Sequence, residues 1–169
     1  NIALYGESSS PVFRSGAKPG DSIFVTGTLG DSQAGLELFQ SGVKEKHQAL
    51  LRRHFHPDRR IDHLPFILDK FAPSSMIDIS DGFLSDLRHV CVASGTGFLI
   101  TSESIPLSDH LMDYCRNDRK AALDLALKSG EEYELLFTTS ASIDADMVYS
   151  GTLPLTRVGA IPPGGFRIK

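Results

Sequence analysis

The chain has 169 residues with 17 basic and 21 acidic side chains, for a formal charge of −4. That length buries one core without disulfide or metal staples, and the charge balance argues against nucleic acid or an anionic membrane surface as partner. No apolar run approaches the ~20 residues that span a bilayer, and the opening Asn1 to Gly6 lacks the charged segment and apolar core of a signal peptide.

Cys91 and Cys115 are the only cysteines; they stand far apart without metal-ligand spacing, which fits a reducing compartment and makes the cytoplasm the expected location. The chain opens on Asn1 rather than Met, as an internal piece of a longer protein would. Residues 1–169 are expected to form a single domain, with 1–21, rich in turn formers, as an arm or linker leading into it.

The first strand is expected over Ser22–Thr26, closed by Gly27. Gly30-Asp31-Ser32 opens a helix through Phe39 that ends near Ser41-Gly42; a second runs from Lys44 to about Phe55 and stops at Pro57; Ile61 to Phe71 reads as helical despite Pro65. Met76, Ile77 and Ile79 form an apolar strand broken by Asp78. Phe83, Leu84, Leu87, Val90 and Cys91 recur at helical spacing over residues 83–93. A strand at Phe98–Thr101, helices at Leu107–Cys115 and Arg119–Leu127, and a strand at Tyr133–Thr138 follow. The tail reads as a helix from Ile143 to Tyr149, a strand at Leu155–Val158 and a Gly/Pro-rich turn at residues 161–165. Strands alternating with helical pairs predict an α/β or layered α+β domain, a sheet of mixed direction flanked by helices.

Asp78-Ile79-Ser80-Asp81-Gly82 lies where a strand gives way to a helix. One reading is architectural, with Ser80 or Asp81 as the helix N-cap. The other is chemical: the unpaired N–H groups of the first turn hold a phosphate oxygen while the carboxylates coordinate a hard cation such as Mg²⁺. Glu131-Glu132-Tyr133-Glu134 packs three carboxylates into four residues, which requires full solvation or a compensating cation or donor. Alternation turns Tyr133, Leu135 and Phe137 inward and leaves Glu132 and Glu134 on the other face. Arg14-Ser15-Gly16-Ala17-Lys18 offers charged and backbone donors to phosphate, or is a surface turn; it lacks the Gly-Lys-Ser/Thr ending of a Walker A loop. The basic stretch Arg52 to Arg60 suits RNA contact or, more simply, a helix end where cations complement the dipole. His54 and His56 have no third ligand candidate nearby for zinc, and no Gly-x-Ser-x-Gly elbow is present.

In order and spacing, Arg14 to Asp21, Val25 to Ser32, Asp78 to Gly82 and Glu131 to Leu135 resemble the second half of the thiamine-monophosphate kinases, relatives of aminoimidazole ribonucleotide synthetase and selenophosphate synthetase. The resemblance implies the fold of the carboxy-terminal domain of aminoimidazole ribonucleotide synthetase. It implies a two-domain cytoplasmic enzyme, homodimeric at full length, that uses ATP and Mg²⁺ to convert thiamine phosphate into thiamine diphosphate in the cleft between its domains. By motif, Asp78 and Asp81 would be Mg²⁺ ligands, Ser80 and Arg14 would contact ATP, and Glu131 would contact the substrate, with no catalytic residue assigned apart from these. Two departures stand out: Glu132 where the family usually has Asp, and Pro57-Asp58-Arg59-Arg60 where it tends to read Pro-x-Pro-Arg. The family's amino-terminal domain and the aromatic segment expected beyond Lys169 are not in this sequence. The isolated chain is therefore expected to be inactive, because half a cleft cannot align two phosphates. The alternatives are a relative acting on another small substrate, or a stand-alone ligand-binding domain.

Overall fold

The computed structural model describes residues 3, 5–42, 46–143 and 145–163. Its strands are β1 (Ser22–Thr26), β2 (Ser75–Asp78), β3 (Leu99–Ile100), β4 (Leu135–Thr139), β5 (Met147–Ser150) and β6 (Leu153–Ala160). Its helices are α1 (Asp31–Gln40), α2 (Gln48–Phe55), α3 (Leu64–Phe71), α4 (Phe83–Ser94), α5 (Asp109–Tyr114) and α6 (Arg119–Lys128). They form one sheet in the order β2-β4-β1-β6-β3, with β5 also pairing β6. The layered α/β expectation holds, but every ladder among the described residues is antiparallel rather than mixed. Among the described residues no helix is long and apolar enough to cross a membrane.

The period-two pattern of β1 explains the layering. Ile23 and Val25 point to one face, where Phe83, Leu87, Val90 and Cys91 of α4 and Ala126 of α6 cover them. Phe24 points to the other, stacking on its ladder partner Phe137 at 5.6 Å and meeting the edge of Phe71 of α3 at 5.0 Å. Both faces are therefore buried, which is why these strands read as continuous apolar runs. A third cluster, Ala34, Leu38, Leu50, Leu111 and Ala122, joins α1, α2, α5 and α6 beside the sheet.

Several boundaries differ from expectation for local reasons. Pro65 is compatible with α3 because it occupies the first turn, where its missing N–H has no helical partner to lose. The tail segment expected as a helix is the strand β5, turned into β6 by the two-residue loop Gly151-Thr152, whose glycine takes φ +63. Helix α2 begins at Gln48 rather than near Lys44, since Lys46 and His47 are not helical and His47 takes a left-handed φ of 56; Lys44 itself and the end of the 161–165 turn lie outside the described residues. The expected arm is fastened from Phe13 onward: Phe13 C=O accepts from Met76 N–H at 3.0 Å and Gly20 N–H donates to Ile161 C=O at 2.9 Å.

Candidate functional site

Asp78 is the last residue of β2 and pairs with Leu135, the first of β4. Past this pair the two chains stay tied by irregular bonds. Ile79 N–H donates to Glu134 C=O (2.8 Å), Tyr133 N–H to Ile79 C=O (2.9 Å) and Glu131 N–H to Ser80 C=O (2.9 Å). This close backbone packing needs Gly130, where a Cβ would come 2.7 Å from Ser80 C=O. The 78–82 and 130–134 turns thus form one unit that brings Asp78, Ser80, Asp81 and Glu131 together. Asp78, Asp81 and Glu131 are exposed and Ser80 is half-buried.

The N-cap expectation is corrected. Neither Ser80 nor Asp81 caps α4; Gly82 holds that position at φ +119. The N–H groups of Ser80, Asp81 and Gly82 instead converge on Oδ2 of buried Asp86, at 3.0, 3.1 and 3.1 Å. Burial raises the Asp86 pKa from its ordinary value, the nearby Asp81 charge adds to this, and the three N–H bonds oppose it. These donors are therefore committed to holding the turn rather than to a phosphate. With the backbone so pinned, the Asp78 and Asp81 carboxylates accept no hydrogen bond among the described residues. Hard oxygen donors in that state suit Mg²⁺. Asp81, Asp86 and His89 each place one ligand atom within 4.8 Å of the others, with Asp86 buried and the other two exposed.

Arg14 is exposed and follows Phe13, whose C=O pairs with Met76 of β2. From there the segment runs toward Ser74, where a Cβ at Gly16 would come 2.4 Å from the C=O, so Arg14 lies along β2 away from the two turns. The phosphate-donor expectation for its loop is corrected in part, since Gly16 and Ala17 N–H both donate to Ser94 Oγ at 3.1 Å.

The acidic turn differs most from the sequence expectation. Glu132 and Glu134 are fully buried and Tyr133 is 39 % exposed, the reverse of the predicted alternation, because the strand begins only at Leu135 and both Glu131 and Tyr133 adopt positive φ (+58 and +53). The compensating cations come from the basic stretch: Arg53 stands in the last turn of α2, as a helix-end reading expects, and Arg60 lies beyond it, yet both are turned onto these carboxylates. Arg53 Nη2 lies 2.8 Å from Glu134 Oε1 and 3.4 Å from Glu132 Oε2, and Arg60 Nη2 lies 2.5 Å from Glu134 Oε1. Glu132 Oε1 also accepts from Gly30 N–H (2.8 Å), Ser32 N–H (3.2 Å) and Ser129 Oγ, so the carboxylate that departs from the family's Asp anchors the positive end of α1. Burial still pushes its pKa up to about 7. Arg53, Arg60 and Asp86 were missed as site-supporting residues. The requirement of a cation for three clustered carboxylates was the available signal, and only the fold joins residues about 75 positions apart.

Outside Glu131, the Tyr133 hydroxyl donates to Glu131 Oε2 at 3.0 Å, and this bond, with the nearby Glu131 and Asp78 charges, raises the Tyr133 pKa. Beside them opens a cavity of about 460 Å³ bounded by Asp78, Tyr133, Leu135, Ile61 and Arg60.

A helix-covered antiparallel sheet thus ends in two tied turns that present exposed carboxylates beside a cavity. The chain belongs to the family described as AIR synthase related protein, C-terminal domain, which it matches over residues 18–148. It is 42 % identical over 168 residues to a thiamine-monophosphate kinase of Aquifex aeolicus, covering 97 % of this chain and 52 % of that protein. It is 45 % identical over 129 residues to the one from Salmonella typhimurium, covering 74 % and 38 %. The crystal structure of the Aquifex aeolicus kinase superposes with a TM-score of 0.81 at 40 % identity over 94 % of this chain and 52 % of that one. A structure of AaThiL complexed with AMPPCP and TMP gives 0.77 at 40 % identity, covering 91 % and 48 %. The hydrogenase maturation protein HypE of E. coli, at 15 % identity and TM-score 0.63 over 94 % and 48 %, shares the fold. The chain spans about half the length of the curated relatives it matches.

Proposed function

We propose that this chain is the carboxy-terminal half of a cytoplasmic, homodimeric thiamine-monophosphate kinase, which transfers the γ-phosphoryl group of ATP to thiamine phosphate and forms thiamine diphosphate. The observation that carries this reading is the tied pair of turns, which fixes two carboxylates, Asp78 and Asp81, that accept no hydrogen bond among the described residues, next to Ser80 and Glu131. The relatives' names and the complex of AaThiL with AMPPCP and TMP support the nucleotide and the acceptor.

In this reading Asp78 and Asp81 hold Mg²⁺. The ion, when bound, neutralises charge on the phosphates and orients the transferred group. Ser80 and Arg14 contact ATP from the β2 flank, and Glu131 contacts the acceptor from the neighbouring turn. The reacting oxygens carry their own negative charge, so the protein's part is alignment and charge compensation rather than covalent chemistry. In the full-length protein of this reading, an amino-terminal domain closes the opposite wall of the cleft.

The test is a kinase assay on the full-length protein, wild type against Asp78→Asn, with thiamine phosphate and with a purine-precursor acceptor. Turnover of thiamine phosphate is expected, with kcat/KM lowered on the order of a hundredfold by the substitution and more Mg²⁺ needed for half-maximal rate. Unchanged rate and unchanged Mg²⁺ dependence would remove Asp78 from the metal site. Turnover of the purine precursor alone would place the protein with a relative of different substrate.

A further inference from the structure

Glu134 is 1 % exposed, and four donor groups converge on its carboxylate. Arg60 Nε and Thr26 Oγ1 each lie 2.6 Å from Oε2, while Arg60 Nη2 and Arg53 Nη2 lie 2.5 and 2.8 Å from Oε1. The backbone just after β1 closes the remaining side, since a Cβ at Gly27 would stand 2.2 Å from Oε1. One cation suffices to offset a buried carboxylate; two, one of them a bidentate fork, also fix its direction.

The main chain of Glu134 is already tied to Ile79, and the segment before it carries left-handed φ at Glu131 and Tyr133. Non-glycine residues there cost roughly 1 kcal/mol or more each and persist only where the surroundings over-determine them. The gain from that strain is outward projection: Glu131 and Tyr133 face solvent beside Asp78, joined to each other by the hydroxyl bond, while Glu132 and Glu134 point into the protein.

We propose that Arg60, supported by Arg53, is a positioning residue for the acceptor side of the site. It acts through Glu134, which holds the strained 131–133 segment so that Glu131 and Tyr133 face the bound acceptor next to Asp78. The identity of the acceptor rests on the kinase reading above; the mechanical role of Arg60 does not.

The experiment compares wild type, Arg60→Lys and Arg60→Gln in the full-length protein by amide hydrogen exchange over residues 129–135 and by KM for each substrate. Arg60→Gln is expected to speed exchange at Glu131 and Tyr133 at least tenfold with little change at Leu87 and Val90 of α4. It should raise KM for thiamine phosphate about tenfold and leave KM for ATP within twofold. Arg60→Lys, which keeps the charge and loses the fork, should recover part of both effects. Should Arg60→Gln not fold, Arg60→Lys carries both measurements. Unchanged exchange at Glu131 and Tyr133 overturns the proposal, as does faster exchange with an unaltered thiamine phosphate KM or an equal rise in both KM values. A wild-type protein that ignores thiamine phosphate defeats the kinase reading instead, and exchange alone then decides whether Arg60 positions the turn.

Discussion

Glu132 carries opposing influences at a single carboxylate. Burial outweighs the Ser129 hydroxyl, the Arg53 guanidinium and the Gly30 N–H, with Asp31 adding to the upward push, so the group titrates at about 7 against an ordinary 4.5. A folded value above the unfolded one means that the native state keeps a proton the unfolded chain has lost between these two pH values. Stability from this group is thus full below about 4.5 and declines as pH rises through about 7. Glu132→Gln keeps an oxygen acceptor for Gly30 and Ser32 and removes the titration. The stability of wild type relative to the variant should fall by on the order of 2–3 kcal/mol between pH 5 and pH 8. Thermal unfolding of both proteins at the two pH values checks it, and a difference that does not move with pH would show that Glu132 stays charged in the native state. At this scale the sequence exposed the problem, three carboxylates in four residues, and the kind of remedy needed, but not the partners. Arg53 and Arg60 sit in a stretch whose charge looked sufficient to explain itself at a helix end.

Gly35 lies inside α1, where a glycine ordinarily costs about 0.5–1 kcal/mol relative to alanine. Here a Cβ would come 2.2 Å from Leu50 C=O of α2 and 3.0 Å from His54 Cβ, so the residue sets how closely the two helices pack. Gly35→Ala is therefore expected to destabilise by about 2–3 kcal/mol in place of the usual gain, read as a lower denaturation midpoint with unchanged slope. Because α2 carries Arg53, the same variant should also weaken the grip on Glu134. Among the elements, β1, α1, α4 and α6 were legible because their apolar spacing agrees with their burial. The start of β4 was misjudged because period-two reasoning assumes extended backbone, and the left-handed φ at Tyr133 shifts each side chain before Leu135 to the opposite side. The segment expected as a tail helix failed for a related reason: Met147 to Ser150 is too short for its period to be decisive, and pairing with Leu153–Thr156 settles it as a strand.

At the scale of the molecule, the sheet is covered on both faces and the two tied turns stand where β2 ends and β4 begins; in the proposed kinase reading their carboxylates line half of a site. Residues 1–169 alone are expected to give no phosphorylation of thiamine phosphate above background under conditions where the full-length protein turns over, measured by formation of thiamine diphosphate; appreciable turnover by the isolated chain would show that no second domain is needed. The linear pattern was enough for most of the scaffold's elements and for the two candidate turns, 78–82 and 131–134. Asp78, Ser80 and Asp81 stand out as a strand-to-helix turn and Glu131 as part of an acidic cluster because such patterns are short-range, whereas the roles proposed for them rest on the resemblance to the thiamine-monophosphate kinases. Only the tertiary structure decided that Asp86 rather than Ser80 or Asp81 secures the turn, and that Arg53 and Arg60 reach Glu134 across some 75–80 residues. Such pairings depend on which backbones are brought into contact, and a linear pattern carries no direct record of that.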